Sequence, residues 1–496
     1  MSANPNASPT VVPDANLAWY RGLTTHHWFV LIVCWLGWLF DTMDQQLFIM
    51  ARSPAIKDLL PSAAARADIT YYAGLATMFL VLGWATGGII FGILGDRWGR
   101  AKTLITAVLF YSLFTGLSAL SVTWVDFSIY RFLTGMGVGG TFGAAVSMVA
   151  ETLPARSRPY ALGFLQVLAA LGNVMAAGIS LFLRPSAPLA GIAGWRLLFV
   201  IGILPAILVL LVMRRLKEPE SWVRAKEAEA HGEAHHKGQG MGSMRELFGD
   251  PRWRRNVIVG IVLGLAGIIG LWGIGFWLPE LVRTVTPAPA AAAVAAANPG
   301  MDTAAIDVVL VDAKATQDRY CAYAMMLFNG AAAVGTYLFA LLVARIGRRP
   351  AFALIFALAL VSVFGVFGFM TKPEQIWWMA PLLGLGTLTV FGGYSIYFPE
   401  LFPTRLRATG VGFCYNTARY VAAPGSFALG ALSMAFLASK DTPRGEQGLA
   451  SMTFLSSMGS VDNPIRYAAM VVSAVFLVGL VALLFAPETK GKPLPE

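Results

Sequence analysis

The sequence predicts an all-α membrane protein in which twelve transmembrane helices form two pseudo-symmetric six-helix halves. Three observations indicate this fold class. The chain of 496 residues is 57% hydrophobic and only 13% charged, whereas about a quarter of the residues in a soluble protein are charged. It contains twelve apolar runs, each close to the roughly 20 residues that a helix needs to cross a bilayer. Two stretches of the first half also recur in the second, as in chains built from a duplicated unit.

The internal repeat is clearest in ETLPARSRPYALGF at 151–164 and ELFPTRLRATGVGF at 400–413, which align without a gap. A second pair, GILGDRWGR at 92–100 and ALLVARIGR at 340–348, recurs at nearly the same distance along the chain. Each half therefore carries the same two polar loops. The repeated positions are Glu151 with Glu400, Arg156 with Arg405, Arg158 with Arg407, Arg97 with Arg345, Gly99 with Gly347, and Arg100 with Arg348.

The apolar runs divide the chain into five parts. These are an N-terminal tail at 1–27, the first half at 28–213, a central loop at 214–255, the second half at 256–486 and a C-terminal tail at 487–496. Since backbone polar groups in lipid must be satisfied within the chain, the spans must be helices. In the first half they are Trp28–Met50, Thr70–Leu94, Lys102–Ser121, Trp124–Ala150, Arg158–Leu183 and Gly194–Met213. In the second half they are Asn256–Leu281, Arg319–Val343, Ala351–Met370, Ile376–Phe398, Ala408–Leu437 and Ile465–Ala486.

Lysine and arginine residues concentrate in alternate loops, which places those loops and both termini on the cytoplasmic side of the cell membrane. The net charge of +10 therefore marks topology, and nucleic acid is not an expected partner. We expect a multi-pass monomer surrounded by lipid. The central loop is predicted to be a solvated linker with helical pieces at 221–234 and 243–248, and the Ala/Pro-rich connection at 282–318 is assigned no site.

Four short motifs occur in a consistent order along the chain. Gly92, Asp96, Arg97, Gly99 and Arg100 form G-x-x-x-D-R-x-G-R after the second span, and Arg131, Gly135 and Gly137 form R-x-x-x-G-x-G in the fourth. KEPES at 217–221 follows the sixth span, and PETKG at 487–491 follows the twelfth. On these motifs the chain resembles transporters of the major facilitator superfamily over nearly its whole length. The last two motifs resemble signatures of the sugar and metabolite porter branch.

The resemblance implies that the two halves surround a central cavity and rock against each other around a fixed site. Two departures from the family pattern matter for function. The second-half loop has Ala340 and Ala344 where the pattern has glycine and aspartate. The seventh span contains GLWGIGFWLPELV and lacks the paired glutamines of sugar porters, which argues against a hexose as substrate.

The repeated polar loops are predicted to gate the cavity on the cytoplasmic side. Acids and arginines at matched helix ends can hold the halves together there and release them when the halves separate. Simple positive-inside anchoring is the alternative. Because Ala344 replaces an acid, we expect the first-half loop to be the stronger gate. The predicted gating residues are Gly92, Asp96, Arg97, Gly99, Arg100, Glu151, Arg156, Arg158, Arg345, Gly347, Arg348, Glu400, Arg405 and Arg407.

Charged residues inside the membrane are costly, so they mark the predicted transport site. Asp41 and Asp44 stand at i and i+3 of the first span and share a helix face. Arg131 lies at a similar depth, so we expect an Asp41–Arg131 pair that keeps Asp41 ionised and leaves Asp44 to carry a proton. A purely structural ion pair is the alternative.

Arg419 lies roughly 18 Å beyond Arg407 along its span, near mid-membrane, with Asn416 one turn below. A guanidinium there offers a permanently charged fork to a carboxylate, although a buried acid or a backbone carbonyl is the alternative partner. Other polar candidates for the substrate site can also serve as helix-to-helix hydrogen bonds. They are Gln166, Asn173, Asn329 and Tyr394.

Motifs for covalent catalysis or nucleotide hydrolysis do not occur, the five histidines lie in polar segments, and the three cysteines are separate. We therefore expect no enzyme activity, metal or organic cofactor. The sequence predicts a secondary active transporter of a small organic anion, with a proton as the coupling ion. A sugar or polyol porter is the alternative, while the short tails disfavour a transporter-like sensor and the absent motifs disfavour a membrane enzyme.

Overall fold

The computed structural model describes residues 18–60, 69–183, 188–205, 215–230, 240–286, 302–423 and 464–495, with a few single residues between them. Helices dominate this part of the chain. A short hairpin also occurs, in which β1 (Pro188–Leu189) pairs antiparallel with β2 (Ile192–Ala193).

Most helices lie at the predicted spans, but the first one continues to Leu59 instead of ending at Met50, and the one predicted at Arg319–Val343 already begins at Thr303. Those of the first half are α1 (Thr25–Leu59), α2 (Ile69–Trp98), α3 (Arg100–Ser118), α4 (Trp124–Thr152), α5 (Arg158–Phe182) and α6 (Gly194–Ile201). The central loop contains α7 (Glu220–Ala230) and α8 (Met244–Gly249). Those of the second half are α9 (Pro251–Gly273), α10 (Leu278–Val285), α11 (Thr303–Ile346), α12 (Arg348–Phe369), α13 (Ile376–Thr387), α14 (Val390–Glu400), α15 (Arg407–Ala422), α16 (Pro464–Val472) and α17 (Val475–Phe485).

Nine segments of the described residues are long and apolar enough to cross a membrane. Two of them combine helices, α13 with α14 and α16 with α17. The other three predicted spans correspond to α1, α6 and α15. The predicted ends of the sixth and eleventh spans, and parts of both tails, the central loop and the 282–318 connection, lie outside the described residues. The predicted all-α membrane fold class is confirmed.

Two glycines form equivalent turns, one between α2 and α3 and the other between α11 and α12. Gly99 has a φ of +115° and Gly347 a φ of +100°, which other residues rarely adopt. The helix that follows each turn starts with N–H groups that have no partner inside the helix. Glu218 of the KEPES motif and Glu488 of the PETKG motif accept hydrogen bonds from these N–H groups. The bonds run from Ala101 N and Lys102 N to Glu218 at 3.1 and 3.2 Å, and from Arg348 N and Arg349 N to Glu488 at 3.0 and 2.9 Å.

The two halves meet through small residues. A Cβ added at Gly412 of α15 would lie 2.3 Å from the carbonyl oxygen of Gly88 on α2, so these backbones touch, as small residues allow in membrane helices. At the equivalent contact, a Cβ added at Gly163 of α5 would lie 2.5 Å from the Cβ of Ala340 on α11. We call the end of the molecule that carries the repeated polar loops the basic face; its exposed or half-buried arginines include Arg97, Arg156, Arg345 and Arg405.

The central loop is docked on the basic face, which corrects the expectation of a solvated linker. Trp222 of α7 is 9% exposed, and its indole N–H donates to the carbonyl oxygen of Asp96 at 2.7 Å. Glu246 of α8 forms a 2.7 Å ion pair with Arg405. The described parts of the loop therefore contact a polar loop of each half. The mixed charges of 221–234 suggested a fully hydrated helix, but one buried tryptophan anchors it.

Candidate transport site and gate

Two aspartates of α1 are buried in the first half. Asp41 is 0% exposed and Asp44 is 1% exposed. The amide nitrogen of Gln45 donates to Oδ2 of Asp41 at 3.1 Å. Oδ1 of Asp41 and Oδ1 of Asp44 have no hydrogen-bond partner among the described residues. Since each unpaired buried polar group costs about 1–3 kcal/mol, this pair is poorly explained by packing and is a functional candidate.

Arg131 of α4 lies in a cage of aromatic rings. Its guanidinium carbon is 4.6 Å from the ring centre of Phe199, 5.7 Å from that of Phe48 and 5.8 Å from that of Phe127, within the range of cation–π attraction. Its Nε donates to the hydroxyl of Ser118 at 3.1 Å. Nη1 has no partner in the described part of the chain. The cage therefore holds a permanent positive charge beside α1.

The arginines face the aspartates in a different combination from the predicted one. Arg131 interacts electrostatically with Asp44, whereas Arg419 interacts with Asp41. The expected Asp41–Arg131 pair is therefore wrong. Three residues turn a helix by about 300°, so two side chains on one broad face still point about 60° apart. Asp44 points to α3 and α6, while Asp41 points to α15.

Arg419 of α15 is held between rings from both halves. Its guanidinium carbon lies 3.9 Å from the ring centre of Trp84 on α2 and 4.4 Å from that of Tyr415. Its Nη1 donates to the carbonyl oxygen of Tyr415 at 2.7 Å and to Oδ1 of Asn416 at 3.1 Å. Nε has no partner among the described residues. A buried cation with an N–H group still to be satisfied can bind an anionic ligand.

Gln166 of α5 joins this central cluster. Its Oε1 accepts a hydrogen bond from the indole N–H of Trp38 at 3.3 Å, and its side chain also lies beside Tyr415. Its amide nitrogen has no partner within the described ranges. Gln166 therefore offers a second N–H donor near Arg419.

The other predicted candidates lie in different environments. Tyr394 of α14 is buried and its hydroxyl donates to the carbonyl oxygen of Leu263 on α9 at 2.5 Å. Asn329 of α11 donates to the carbonyl oxygen of Met325 in its own helix at 2.8 Å. Asn173 is half-buried on α5. The bonds of Tyr394 and Asn329 are those of helix packing rather than of the central cluster.

Sequence reasoning missed two hydroxyl residues of α3 near the aspartates. Tyr111 is 0% exposed and lies within electrostatic range of both Asp41 and Asp44. A Cβ added at Gly202 would lie 2.2 Å from Cγ2 of Thr115 and 2.9 Å from Oδ1 of Asp44, so Thr115 and Asp44 are neighbours. Tyr111 and Thr115 are four residues apart and share a helix face. This spacing could have indicated a polar face on α3. It was not recognised because most residues around Tyr111 and Thr115 are apolar.

The polar loop of the first half crosses to the second half at the basic face. Arg100 binds Asp96 at 2.9 Å and Glu151 at 2.8 Å, and Glu151 also binds Arg407 of the second half at 2.8 Å. All four side chains are 0% exposed. Asp96 also accepts from the N-terminus of α15. These bonds come from Ala408 N at 3.0 Å, Thr409 N at 2.8 Å and Thr409 Oγ1 at 2.6 Å.

The equivalent loop of the second half makes its bonds within that half. Arg348 binds Glu400 at 2.6 Å. Glu400 also accepts a hydrogen bond from Thr489 Oγ1 at 2.6 Å, so the C-terminal tail is attached to this ion pair. Its side chain is 12% exposed, in contrast to the fully buried Glu151.

The remaining predicted gating residues lie around this network. Gly92 of α2 would place an added Cβ 2.9 Å from the carbonyl oxygen of Ala408, so it lies at the interface between the halves. Three arginines donate to backbone carbonyls: Arg97 to Met241 O at 3.2 Å, Arg158 to Leu153 O at 2.9 Å, and Arg156 to Arg21 O. Arg405 binds Glu246 of the central loop. The backbone carbonyl of Arg345 accepts a bond from Lys490 at 2.6 Å.

A helical membrane fold with two similar halves, charged groups buried in its middle and a network that joins the halves at one face is typical of secondary transporters. The chain belongs to the Major Facilitator Superfamily, whose family model matches residues 34–427. This assignment confirms the family that the four motifs indicated.

Curated relatives include transporters of organic acids. The chain is 24% identical to the cis,cis-muconate transport protein of Acinetobacter baylyi, over 86% of this chain and 87% of that one. It is 27% identical to the niacin transporter NiaP of the same organism, over 80% of this chain and 86% of that one. Among solved structures it resembles the proton:xylose symporter XylE with a TM-score of 0.67 at 18% identity, covering 95% of this chain and 98% of that one. At this identity the structural likeness concerns the fold.

Proposed function

We propose that the protein is a secondary active transporter that moves a small organic anion, a carboxylate, by alternating access in symport with a proton. The relatives named for transport of cis,cis-muconate and of niacin support an organic acid as the substrate class. We place the protein in the cell membrane as a monomer, with the basic face in the cytoplasm because lysine and arginine favour that side.

The observation that carries the anion assignment is the environment of Arg419. Its guanidinium is 2% exposed, it is not among the ion pairs within 4 Å found in the described residues, and its Nε is unpaired there. An arginine in mid-membrane costs at least about 2.5 kcal/mol on insertion scales. Part of that cost is offset by the rings of Trp84 and Tyr415, and a substrate carboxylate bound by Arg419, Asn416 and Gln166 would offset more.

The helix-one aspartates are the proposed proton carriers. Each aspartate faces an arginine, Asp44 facing Arg131 and Asp41 facing Arg419. In this proposal Asp44 receives the proton first, and Asp41 holds it beside the substrate. Protonation of Asp41 would weaken its interaction with Arg419 and leave Arg419 free to bind the anion. Proton uptake and anion binding would thereby be coupled.

The alternative function is transport of a neutral sugar or polyol. The signatures at 217–221 and 487–491 favour it, because they resemble those of the sugar porter branch. In this structure, however, Glu218 and Glu488 of these signatures cap α3 and α12 at the basic face, away from the central cluster. The signatures therefore bear on the gate and not on the substrate.

The decisive experiment measures substrate binding and uptake in variants at Arg419. We expect small carboxylates, and not sugars or polyols, to stabilise the purified protein in a thermal-shift screen. Arg419→Lys keeps the charge but loses the two-pronged geometry, so we expect weaker apparent affinity; Arg419→Gln should abolish anion uptake in proteoliposomes. Binding of sugars but no acids, or normal acid uptake by Arg419→Gln, would replace this proposal by the sugar or polyol alternative.

A further inference from the structure

A chain of five polar side chains connects the aromatic cage to the central cluster. Arg131 interacts with Asp44, both aspartates interact with Tyr111, and Asp41 interacts with Arg419. All five side chains are 2% exposed or less. They come from α4, α1, α3 and α15, so three helices of the first half and one of the second meet here.

The middle members of this chain have unsatisfied oxygen atoms. Oδ1 of Asp41, Oδ1 of Asp44 and the hydroxyl of Tyr111 have no hydrogen-bond partner within 3.5 Å among the described residues. The hydroxyl of Thr115 lies close to Asp44 and that of Ser112 close to Tyr111. A buried tyrosine hydroxyl ordinarily finds a partner. Several unpaired oxygens in one small region therefore indicate a place where protons and water exchange.

Close backbone contacts fix the position of Tyr111. A Cβ added at Gly137 of α4 would lie 2.6 Å from the backbone nitrogen of Tyr111 and 2.7 Å from its Cβ. The α3 and α4 backbones are thus in contact at this residue, and α3 cannot shift there without separating from α4. Thr115, one turn along the same face, is fixed beside Asp44 by Gly202. The face of α3 that carries both hydroxyls is held against the aspartates.

We infer that Tyr111 relays the coupling proton between Asp44 and Asp41. The Tyr111 hydroxyl is bonded to neither carboxylate in this structure, so a water molecule on each side completes the path. The hydroxyl passes its proton through one water to the Asp41 carboxylate, while its oxygen receives through the other the proton of the protonated Asp44. One O–H bond forms at Asp41 and one breaks at Asp44, and Tyr111 is neutral before and after the step. Arg131 and Arg419 are the charged groups at the two ends. The inference rests on the proposed proton coupling and adds a residue to it.

The test compares Tyr111→Phe with Tyr397→Phe in proteoliposomes. Tyr397 is also buried, but its hydroxyl donates to the carbonyl oxygen of Pro487 at the basic face. We expect Tyr111→Phe to lower uptake driven by a pH gradient by about a hundredfold, the low end of what a positioned proton-transfer group contributes. Exchange of labelled benzoate across the membrane at equal pH should stay within about twofold, because the anion site is intact. Tyr397→Phe should behave as the wild type in both assays.

Gradient-driven uptake by Tyr111→Phe at the wild-type rate would overturn the inference. If the wild type itself shows no response to a pH gradient, the proposed proton coupling fails first, so the two failures are distinguishable. Incorporation of 3,5-difluorotyrosine at position 111 provides a second measurement that keeps the hydroxyl and the packing while making the phenol more acidic. We expect it to change the rate of gradient-driven uptake but not of exchange; an unchanged rate would contradict the relay even if Tyr111→Phe fails to fold.

Discussion

The two polar loops of the basic face share a plan but differ in where their bonds go. Each has an Arg–Glu ion pair, Arg100–Glu151 at 2.8 Å and Arg348–Glu400 at 2.6 Å. In each, a glycine with positive φ precedes the helix, and a glutamate caps it. The first-half loop, however, bonds directly to the second half, whereas the described bonds of Arg348 and Glu400 stay within the second half.

Within the described part of the chain, the second-half loop lacks the bonds that Asp96 makes to the other half, because the sequence differs on both sides of the interface. Where the first half has Asp96, the second has Ala344. Asp96 accepts a hydrogen bond from the backbone N–H of Ala408. This donor has no counterpart in the second half, because the repeat aligns Ala408 with Pro159 and proline has no N–H. The acceptor and one of the two backbone donors are therefore absent from the second interface, whereas Tyr160, the counterpart of Thr409, keeps its N–H group. This agrees with the expectation from Ala344 that the loops are unequal.

The asymmetry extends to the arginines that follow. Arg407 forms a 2.8 Å ion pair with Glu151 of the opposite half. Its counterpart Arg158 donates to the carbonyl oxygen of Leu153 in its own half and interacts with Glu400 of the second half electrostatically, but it is not among the ion pairs within 4 Å found in the described residues. The closed basic face is therefore held mainly through one loop. Opening requires that Asp96 and Glu151 release α15, while Arg348 and Glu400 can keep their pair and the attached tail.

The largest effect should come from Asp96→Asn. A carboxylate that accepts three bonds from the other half is replaced by a neutral amide, and hydrogen bonds to charged groups contribute about 1.5–3 kcal/mol. This corresponds to roughly 10- to 150-fold more of the open state. Ser395→Cys in a cysteine-free background reports the opening, because its hydroxyl bonds the Leu162 carbonyl across the interface at 3.1 Å. We expect faster labelling of that cysteine by a membrane-impermeant thiol reagent.

Ala344→Asn is the matched control, since it puts the same side chain at the equivalent position of the second half. It should change the labelling rate much less, because Pro159 offers no N–H and Ala344→Asn removes no existing bond between the halves. Equal labelling in Asp96→Asn and the wild type would mean that the first-half loop only anchors the protein. Equal increases in both variants would mean that the two loops contribute alike.

A somewhat smaller effect is expected from Gly99→Ala and Gly347→Ala. Both residues have a backbone conformation that costs about 1–3 kcal/mol for a residue with a side chain. The added Cβ would lie 2.3 Å from Oε1 of Glu218 in the first half but 3.0 Å from Oε2 of Glu488 in the second. We therefore expect Gly99→Ala to lower the free energy of unfolding in mixed micelles more than Gly347→Ala does.

A double variant identifies the origin of that difference. If displacement of the capping glutamate adds to the cost, Gly99→Ala should be less destabilising in a Glu218→Gln background than in the wild type. Additive effects would instead assign the whole cost to the backbone, and the two turns would then be energetically equivalent.

Sequence reasoning predicted the fold because apolar length and repetition leave few choices for a membrane chain. The repeat identified the acids and arginines of both loops, but not that Arg100 pairs with Glu151 and Arg348 with Glu400. The partner of Arg131 could not be predicted in this way. The spacing along α1 shows that Asp41 and Asp44 share a face, but it does not show that an angle of about 60° between their directions gives them different partners. Tyr111 was missed for a related reason, since an aromatic residue in an apolar run resembles a core residue until its neighbours from other helices are known.

The smallest effect concerns Glu488, the cap that the C-terminal tail supplies to the second-half loop. Burial opposes ionisation of this carboxylate, but four backbone N–H groups outweigh it and hold the pKa of Glu488 below its usual 4.5. Its contribution to stability is therefore complete above about pH 4.5 and is lost as the pH falls through the lower pKa of the folded state. The N–H donors are those of Arg348, Arg349, Lys490 and Thr489.

The measurement is the difference in free energy of unfolding between the wild type and Glu488→Gln as a function of pH. Other acids titrate equally in both proteins, so they cancel in the difference. We expect a small, constant advantage of the wild type from neutral pH down to about 4.5, which shrinks at lower pH. An advantage that grows on acidification would mean that Glu488 is held protonated. In that case the cap of α12 would be a neutral carboxylic acid. It would not be the ionised carboxylate that the N-terminus of a helix favours.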